Sequence, residues 1–269
     1  MSRFYFETLA TSVGLDFKNF DDMPPGGDLS PLDKTENTDL DISLYKDTGS
    51  KCITNIEKSR FANCVKKTEN GSYCTLFDAK NRKTFCFFEE NVDLHYIVDY
   101  AVNRSFLAFQ SLLDIVFLHA ASVMDDGKAY LFIAPSGGGK TTICSLAEEM
   151  GIKVLNDEIC VVKKGEDGFL AGELPSFFDV QDNLGIEAIF FLEKSRINRV
   201  EELSTVEAIR RTLPQATCFH YGHVPGREKV SYRKHVFKFL NTLFQDVDFG
   251  LLKFNKNTDV FLCLNLMKQ

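Results

Sequence analysis

Leu131-Phe132-Ile133-Ala134-Pro135-Ser136-Gly137-Gly138-Gly139-Lys140-Thr141-Thr142 is an apolar run that opens into a glycine-rich loop closed by a lysine and two hydroxyls. The order predicts strand, loop and helix, the arrangement that wraps the phosphates of a nucleotide. Backbone amides from Ser136, Gly137, Gly138 and Gly139 would face phosphate oxygens. Lys140 would reach the bridge between the β and γ phosphates, and the Thr141 hydroxyl, with Thr142 beside it, would hold Mg²⁺. The usual pattern is Gly, four residues, then Gly-Lys-Ser/Thr, and Ala134 stands here at the first position. A methyl group is tolerated there only where the backbone keeps to ordinary φ. A plain glycine-rich turn would leave Lys140 and both threonines unexplained.

Working upstream, Val116–Met124 and Lys128–Ile133 read as two strands flanking Asp126-Gly127, a strong two-residue hairpin signal. Pairing Asp125 with Lys128 and stepping outward sets His119 opposite Ala134, at the mouth of the phosphate loop. Working downstream, Thr141–Met150 reads as a helix closed by Gly151, and Val154-Leu155 begins a strand that ends in Asn156-Asp157-Glu158. A phosphate loop needs a carboxylate at the end of a neighbouring strand, because Mg²⁺ must be held from the protein side. Asp157 and Glu158 meet that need. One would orient the metal or its waters and the other would accept a proton from an attacking hydroxyl, the alternative being two solvated acids in a turn.

The rest of the chain bounds the answer. Its 269 residues, 44% of them hydrophobic and 25 of them Phe, suffice for two modest domains. A formal charge of -7 argues against nucleic acid and anionic membrane as partners, since both attract basic surfaces. The first residues lack the charged start and apolar run of a signal peptide, and no stretch matches a membrane span, which predicts a soluble, cytoplasmic protein. Cys52, Cys64, Cys74 and Cys86 lack the close pairs of a zinc site and read as one small buried residue per strand. Cys144, Cys160, Cys218 and Cys263 read as core.

Residues 3–8 look strand-like, and the Pro- and acid-rich stretch Asp21–Asp41 reads as an exposed loop. Segments around 40–46, 52–56, 72–78 and 83–88, separated by turns, have the rhythm of antiparallel strands. From Val92 to about Asp114 apolar residues recur at helical spacing. The reading is therefore an α/β protein: residues 1–92 as a β-rich accessory domain, residues 93–269 as the nucleotide-binding domain with a mixed sheet.

Leu118-His119-Ala120-Ala121-Ser122-Val123, then Ala134–Thr142, then Val154-Leu155-Asn156-Asp157-Glu158, in that order and spacing, resemble the kinases related to HPr kinase/phosphorylase. That family shares its nucleotide core with ATP-dependent phosphoenolpyruvate carboxykinase. Gly172-Glu173-Leu174-Pro175 is similar to its Gly-x-Pro segment, and Ile186–Leu192 followed by Leu203–Leu213 to its strand and helix. Phe4–Leu15 with Met23-Pro24 looks like the opening of members that carry an accessory amino-terminal domain.

The resemblance implies ATP and Mg²⁺ as cofactors and transfer of the γ-phosphate to a hydroxyl. Lys140 and Thr141 would bind phosphate and metal, Asp157 would be the base, and His119 with Glu158 would support metal binding and proton transfer. Glu173 would add a second metal contact, on a looser match. Family members generally carry Asp where this chain has Glu158. The carboxy-terminal signature tied to recognition of HPr is not evident, which turns the expectation toward serine in a peptide or protein. Two alternatives stay open: a non-catalytic ATP-binding regulator or maturation scaffold, and a kinase of a free small alcohol such as serine. Relatives often form multimers, so a homo-oligomer fits the resemblance. Transfer also calls for an arginine, and Arg196, Arg199, Arg210, Arg211 and Arg227 are equal candidates by sequence. Tyr221–Arg227 is a turn-rich loop suited to closing over substrate.

Overall fold

The computed structural model describes residues 2–8, 11–18, 38–47, 51–58, 64–78, 80–177, 183–217, 227–257 and 259–261. The chain divides into two units: Met1–Leu113 with Pro175–Gln181 and Tyr221–His223, and the remainder. Most of Asp21–Asp41 and of Tyr221–Arg227 lies outside the described residues, as do Cys218 and Cys263.

The first unit is a six-stranded mixed sheet. Its order is β1 (Ser2–Thr8), β2 (Thr11–Lys18), β3 (Leu40–Asp47), β6 (Lys83–Glu89), β5 (Gly71–Asp78) and β4 (Val65–Thr68). Strand β3 alternates: Leu40, Ile42 and Leu44 are fully buried and the residues between them are half-exposed. The expected antiparallel rhythm holds for β1 with β2 and for β4, β5 and β6, but β2–β3 and β3–β6 are parallel. The strand expected at 52–56 is instead helix α1 (Lys51–Glu57). Ile53 and Ile56 are its buried residues, a spacing of three that marks a helix face, and the Ile53 amide donates to Asp47 Oδ2 at 2.9 Å. Cys74 and Cys86 are buried in β5 and β6, whereas Cys64 is half-buried ahead of β4 and Cys52 falls in α1.

Helix α2 (Leu94–Leu113) follows the expected periodicity, burying Ile97, Val98, Ala101, Phe106, Phe109 and Leu113. The Tyr96 amide donates to Asp93 Oδ1 at 2.7 Å, capping the first turn. The helix packs on β3, β5 and β6, so the division between units falls after Leu113, whereas the sequence placed it near residue 92. Asp99 on α2 accepts hydrogen bonds at 2.9 Å from the Ser176 hydroxyl and the Phe177 amide, which holds that short segment within the first unit.

The second unit is a nine-stranded mixed sheet with helices on both faces. One run of neighbours is β10 (Lys153–Asn156), β8 (Ala120–Asp125), β9 (Lys128–Ile133) and β13 (Leu184–Lys194), continued by β15 (Asp248–Phe254) and β14 (Arg199–Glu201). The start of β13 also pairs with β12 (Phe169–Gly172), beyond which lie β11 (Cys160–Lys164) and β7 (Ile115–Leu118). Central strands are apolar on both sides because both sides are covered. Tyr130, Phe132, Phe190, Leu192 and Leu252 pack with helix α3 (Lys140–Glu149). Leu131, Ile133, Ile189 and Phe191 pack on the other side with α4 (Thr205–Thr217) and α5 (Arg227–Asp246).

The hairpin has the expected register: Asp125 faces Lys128 and Ala120 faces Ile133, with Asp126 and Gly127 at φ 49 and 71 in the turn. The expected single strand Val116–Met124 is broken, however. β7 ends at Leu118 and pairs with β11, because the His119 amide donates to the Gln215 carbonyl of α4 at 3.0 Å and leaves the sheet. Among the described residues no helix is long and apolar enough to cross a membrane.

Candidate functional site

Strand β8 runs antiparallel to both β9 and β10, and β13 runs parallel to both β9 and β15. Strands β9, β10, β13 and β15 therefore bring their carboxyl ends to one edge of the sheet, where open α/β sheets bind ligands. The loop from Ala134 to Gly139 leaves β9 at that edge and feeds directly into α3.

The loop's geometry answers the question posed by Ala134. Ala134 is not among the positive-φ residues, and it is buried with the α3 core. A Cβ on Gly138 would lie 2.5 Å from the Ala134 Cβ and 2.9 Å from the Pro135 carbonyl, so the methyl of Ala134 occupies room that a bare Gly138 leaves free. Gly139, the residue before α3, has φ 113, and a Cβ there would lie 2.4 Å from Cζ of Phe254. Both a turn and a close approach thus require glycine at 139. Gly139 supplies no side-chain cap, so the first-turn amides of α3 keep their donors for a ligand.

Lys140 is 7% exposed, and its Nζ donates to the Ala134 carbonyl at 2.9 Å, spanning the loop from inside. Burial lowers the pKa of its ammonium and the negative charge of Glu158 pushes it back up, so Glu158 lies within electrostatic reach of the loop. Ser136, Gly137 and Thr141 are exposed, and Thr142 is half-buried.

The acids stand on a built turn. Asn156 Oδ1 accepts from the amides of Glu158 at 2.7 Å and Ile159 at 2.6 Å, fixing the chain as β10 ends and leaving Asp157 and Glu158 exposed. Asp157 acts on α3: the Cys144 thiol, one turn past Lys140, is pushed up to about 11 by burial, with Asp157 and Glu148 adding to it. Glu173 follows β12, whose Gly172 faces Val161, so register carries Glu173 alongside Cys160, two residues from Glu158. Burial pushes the Cys160 thiol up to about 12, and the charge of Glu173 contributes in the same direction. Leu118 also faces Cys160, which sets His119 at the same edge.

Lys140, Thr141, Asp157, Glu158, His119 and Glu173 thus share one edge of the second unit. The described residues contain no group of three or more His, Cys, Asp or Glu arranged to hold a metal ion. Three further participants were given no role by the sequence reading. Gln215 Oε1 lies 3.1 Å from His119 Nδ1, across 96 residues of chain, and orients the imidazole ring. Phe254 braces Gly139 from the end of β15, and Asn156 builds the acid turn. Of these only Asn156 was legible in principle, as an Asx turn beside the acids.

A family model described as SynChlorMet cassette protein ScmC matches residues 101–257, more than half of the chain and all of the residues named at this edge. No curated protein matches.

Proposed function

This chain belongs to the ScmC family, and from that premise and the geometry above we propose that it is a Mg-ATP-dependent phosphotransferase. The reading keeps the resemblance to HPr-kinase-like kinases, with serine of a peptide or protein as acceptor. One observation carries it: a glycine loop, a helix start without a side-chain cap, a buried lysine and an exposed carboxylate turn all meet at one sheet edge. The residues fit the nucleotide. The Gly138 amide donates to the Pro135 carbonyl at 2.9 Å, so the other loop amides with Lys140 match phosphate charge, exposed Thr141 offers a hydroxyl, and nothing but a glycine fits at 138 and 139.

Mg²⁺, when bound, supplies charge neutralisation between the phosphates. Thr141 and the carboxylates of Asp157 and Glu158 would hold it together with phosphate oxygens, which suits a metal that keeps water and needs few protein ligands. Glu173 is the reserve ligand. Lys140 would trade the Ala134 carbonyl for the transferring phosphate. Asp157 would accept the proton of the acceptor hydroxyl as its oxygen bonds to the γ phosphorus and the bond to the β,γ-bridging oxygen breaks, leaving ADP. His119, its Nδ1 fixed by Gln215, would present Nε2 toward the same edge.

The description of the family names a cassette and no chemistry, so proteins encoded alongside this chain are the first acceptors to test. With labelled ATP the γ-phosphate moves to an acceptor hydroxyl, and Lys140→Ala and Asp157→Asn each abolish the transfer. Transfer that persists in both variants refutes the assignment. Tight ATP binding with an intact γ-phosphate across the whole acceptor set would instead favour a nucleotide-binding scaffold.

A further inference from the structure

We propose that Arg196, on the loop between β13 and β14, is the cation that meets the transferring phosphate, and that Asn255 positions it. This rests on the phosphotransferase reading and selects one of five arginines that the sequence leaves equal.

β15 lies between β13 and β14, parallel to the first and antiparallel to the second. The chain leaving β13 at Lys194 must therefore cross the carboxyl end of β15 to enter β14 at Arg199, and the crossing is Ser195–Asn198. It is bonded down along its length. The Ser195 amide donates to the Phe254 carbonyl at 2.7 Å, the Asn255 amide donates to Asn198 Oδ1 at 2.8 Å, and Asn255 Nδ2 donates to the Arg196 carbonyl at 3.2 Å.

Phe254 touches both the crossing and the glycine loop. Its carbonyl holds the Arg196 loop while its ring abuts Gly139 at the start of α3, so one residue sets the distance between arginine and phosphate loop. Asn255 adds a second sign of a site: its Oδ1 is buried and has no hydrogen-bond partner among the described residues.

Charge accounting then separates the candidates. Arg199 is paired with Glu201 at 2.5 Å, and Arg210 and Arg211 share Glu207 at 2.6 and 2.8 Å. The side chain of Arg227 lies outside the described residues. Arg196 is exposed and has no ion pair among the described residues. Lys194 is the rival cation, since it ends β13 on the same alternation as Phe190 and Leu192, which face α3. A guanidinium matches two phosphate oxygens at once, which an ammonium on a flexible stem does not. The arginine also sits on the bonded crossing.

The experiment needs no acceptor. ADP alone is compared with ADP, magnesium and aluminium fluoride, a planar mimic of the phosphoryl group in transfer, by calorimetry on the full chain. The wild type binds the mimic more tightly than ADP. Arg196→Ala keeps ADP affinity within about 3-fold and loses about 100-fold or more for the mimic, since transition-state contacts are those that count. Arg196→Lys recovers only part of that. Asn255→Ala weakens mimic binding by about 10-fold with ADP unchanged, a split that a general loss of fold would not give. Equal mimic affinity in wild type and Arg196→Ala overturns the inference, as does a loss confined to Lys194→Ala. Wild-type protein that binds neither ligand, or a Lys140→Ala variant that binds both as well as wild type, refutes the phosphate-loop reading itself.

Discussion

Gly139→Ala tests how tightly the glycine loop before α3 is built. Gly139 lies at φ 113 and ψ 12, where an L side chain is strained by about 1–3 kcal/mol. The added Cβ would also meet Phe254 Cζ at 2.4 Å and Cε1 at 3.1 Å. Phe254 is 2% exposed within the α3 core, so its ring cannot swing into solvent, and overpacking adds about 1–3 kcal/mol. The total loss is about 2–6 kcal/mol by the sum of those two ranges. Urea unfolding of wild type, Gly139→Ala, Phe254→Leu and the double variant separates the parts. Leucine removes the outer ring atoms, so in its background the alanine should cost only the backbone share, with a coupling of about 1–3 kcal/mol between the sites. An alanine cost below about 0.5 kcal/mol, within the ordinary range for a harmless surface change, would refute the reasoning. So would an identical cost in both backgrounds.

Two further outcomes follow from charge. Glu158→Gln removes the carboxylate that raises the pKa of Lys140 against the effect of its burial, so the alkaline limb of ADP affinity should move to lower pH; a limb that stays put or moves up contradicts the contact. Hydrogen bonds from Arg210 and Arg211 lower Glu207 from 4.5 to about 2. A depressed carboxylate contributes stability that is fully present above its unfolded pKa and is lost as pH falls through the folded value. The stability gap between wild type and Glu207→Gln should therefore be present at neutral pH, narrow as pH drops from about 4.5 toward 2, and shrink with salt because Glu207 is only half-buried and its partner Arg210 is exposed. Thermal midpoints measured across pH at two ionic strengths check this, and a gap that grows on acidification would contradict it.

Much of the site was legible because its chemistry is local. The strand, glycine loop and Lys140-Thr141-Thr142 are contiguous, and the Asp126-Gly127 turn alone fixed a register that set Ala120 opposite Ile133. The segment 52–56 misled because turn residues set it off as they set off the strands, while the burial that matters falls on Ile53 and Ile56, three residues apart. The register that sets Ala120 opposite Ile133 was legible, but the departure of His119 from the sheet just before it was not, since that depends on Gln215 in α4.

Turn conformations are set by neighbours within a few residues, so the sequence by itself determined the glycine loop, its hairpin and the acid-bearing strand end. Tertiary structure decided which strands run parallel beside β9, that Phe254 closes against Gly139, and that Arg199, Arg210 and Arg211 pair with acids whereas Arg196 has no ion pair among the described residues. Those outcomes depend on packing between segments far apart in the chain. No local spacing encodes which distant side chain fills a given space or pairs a given charge.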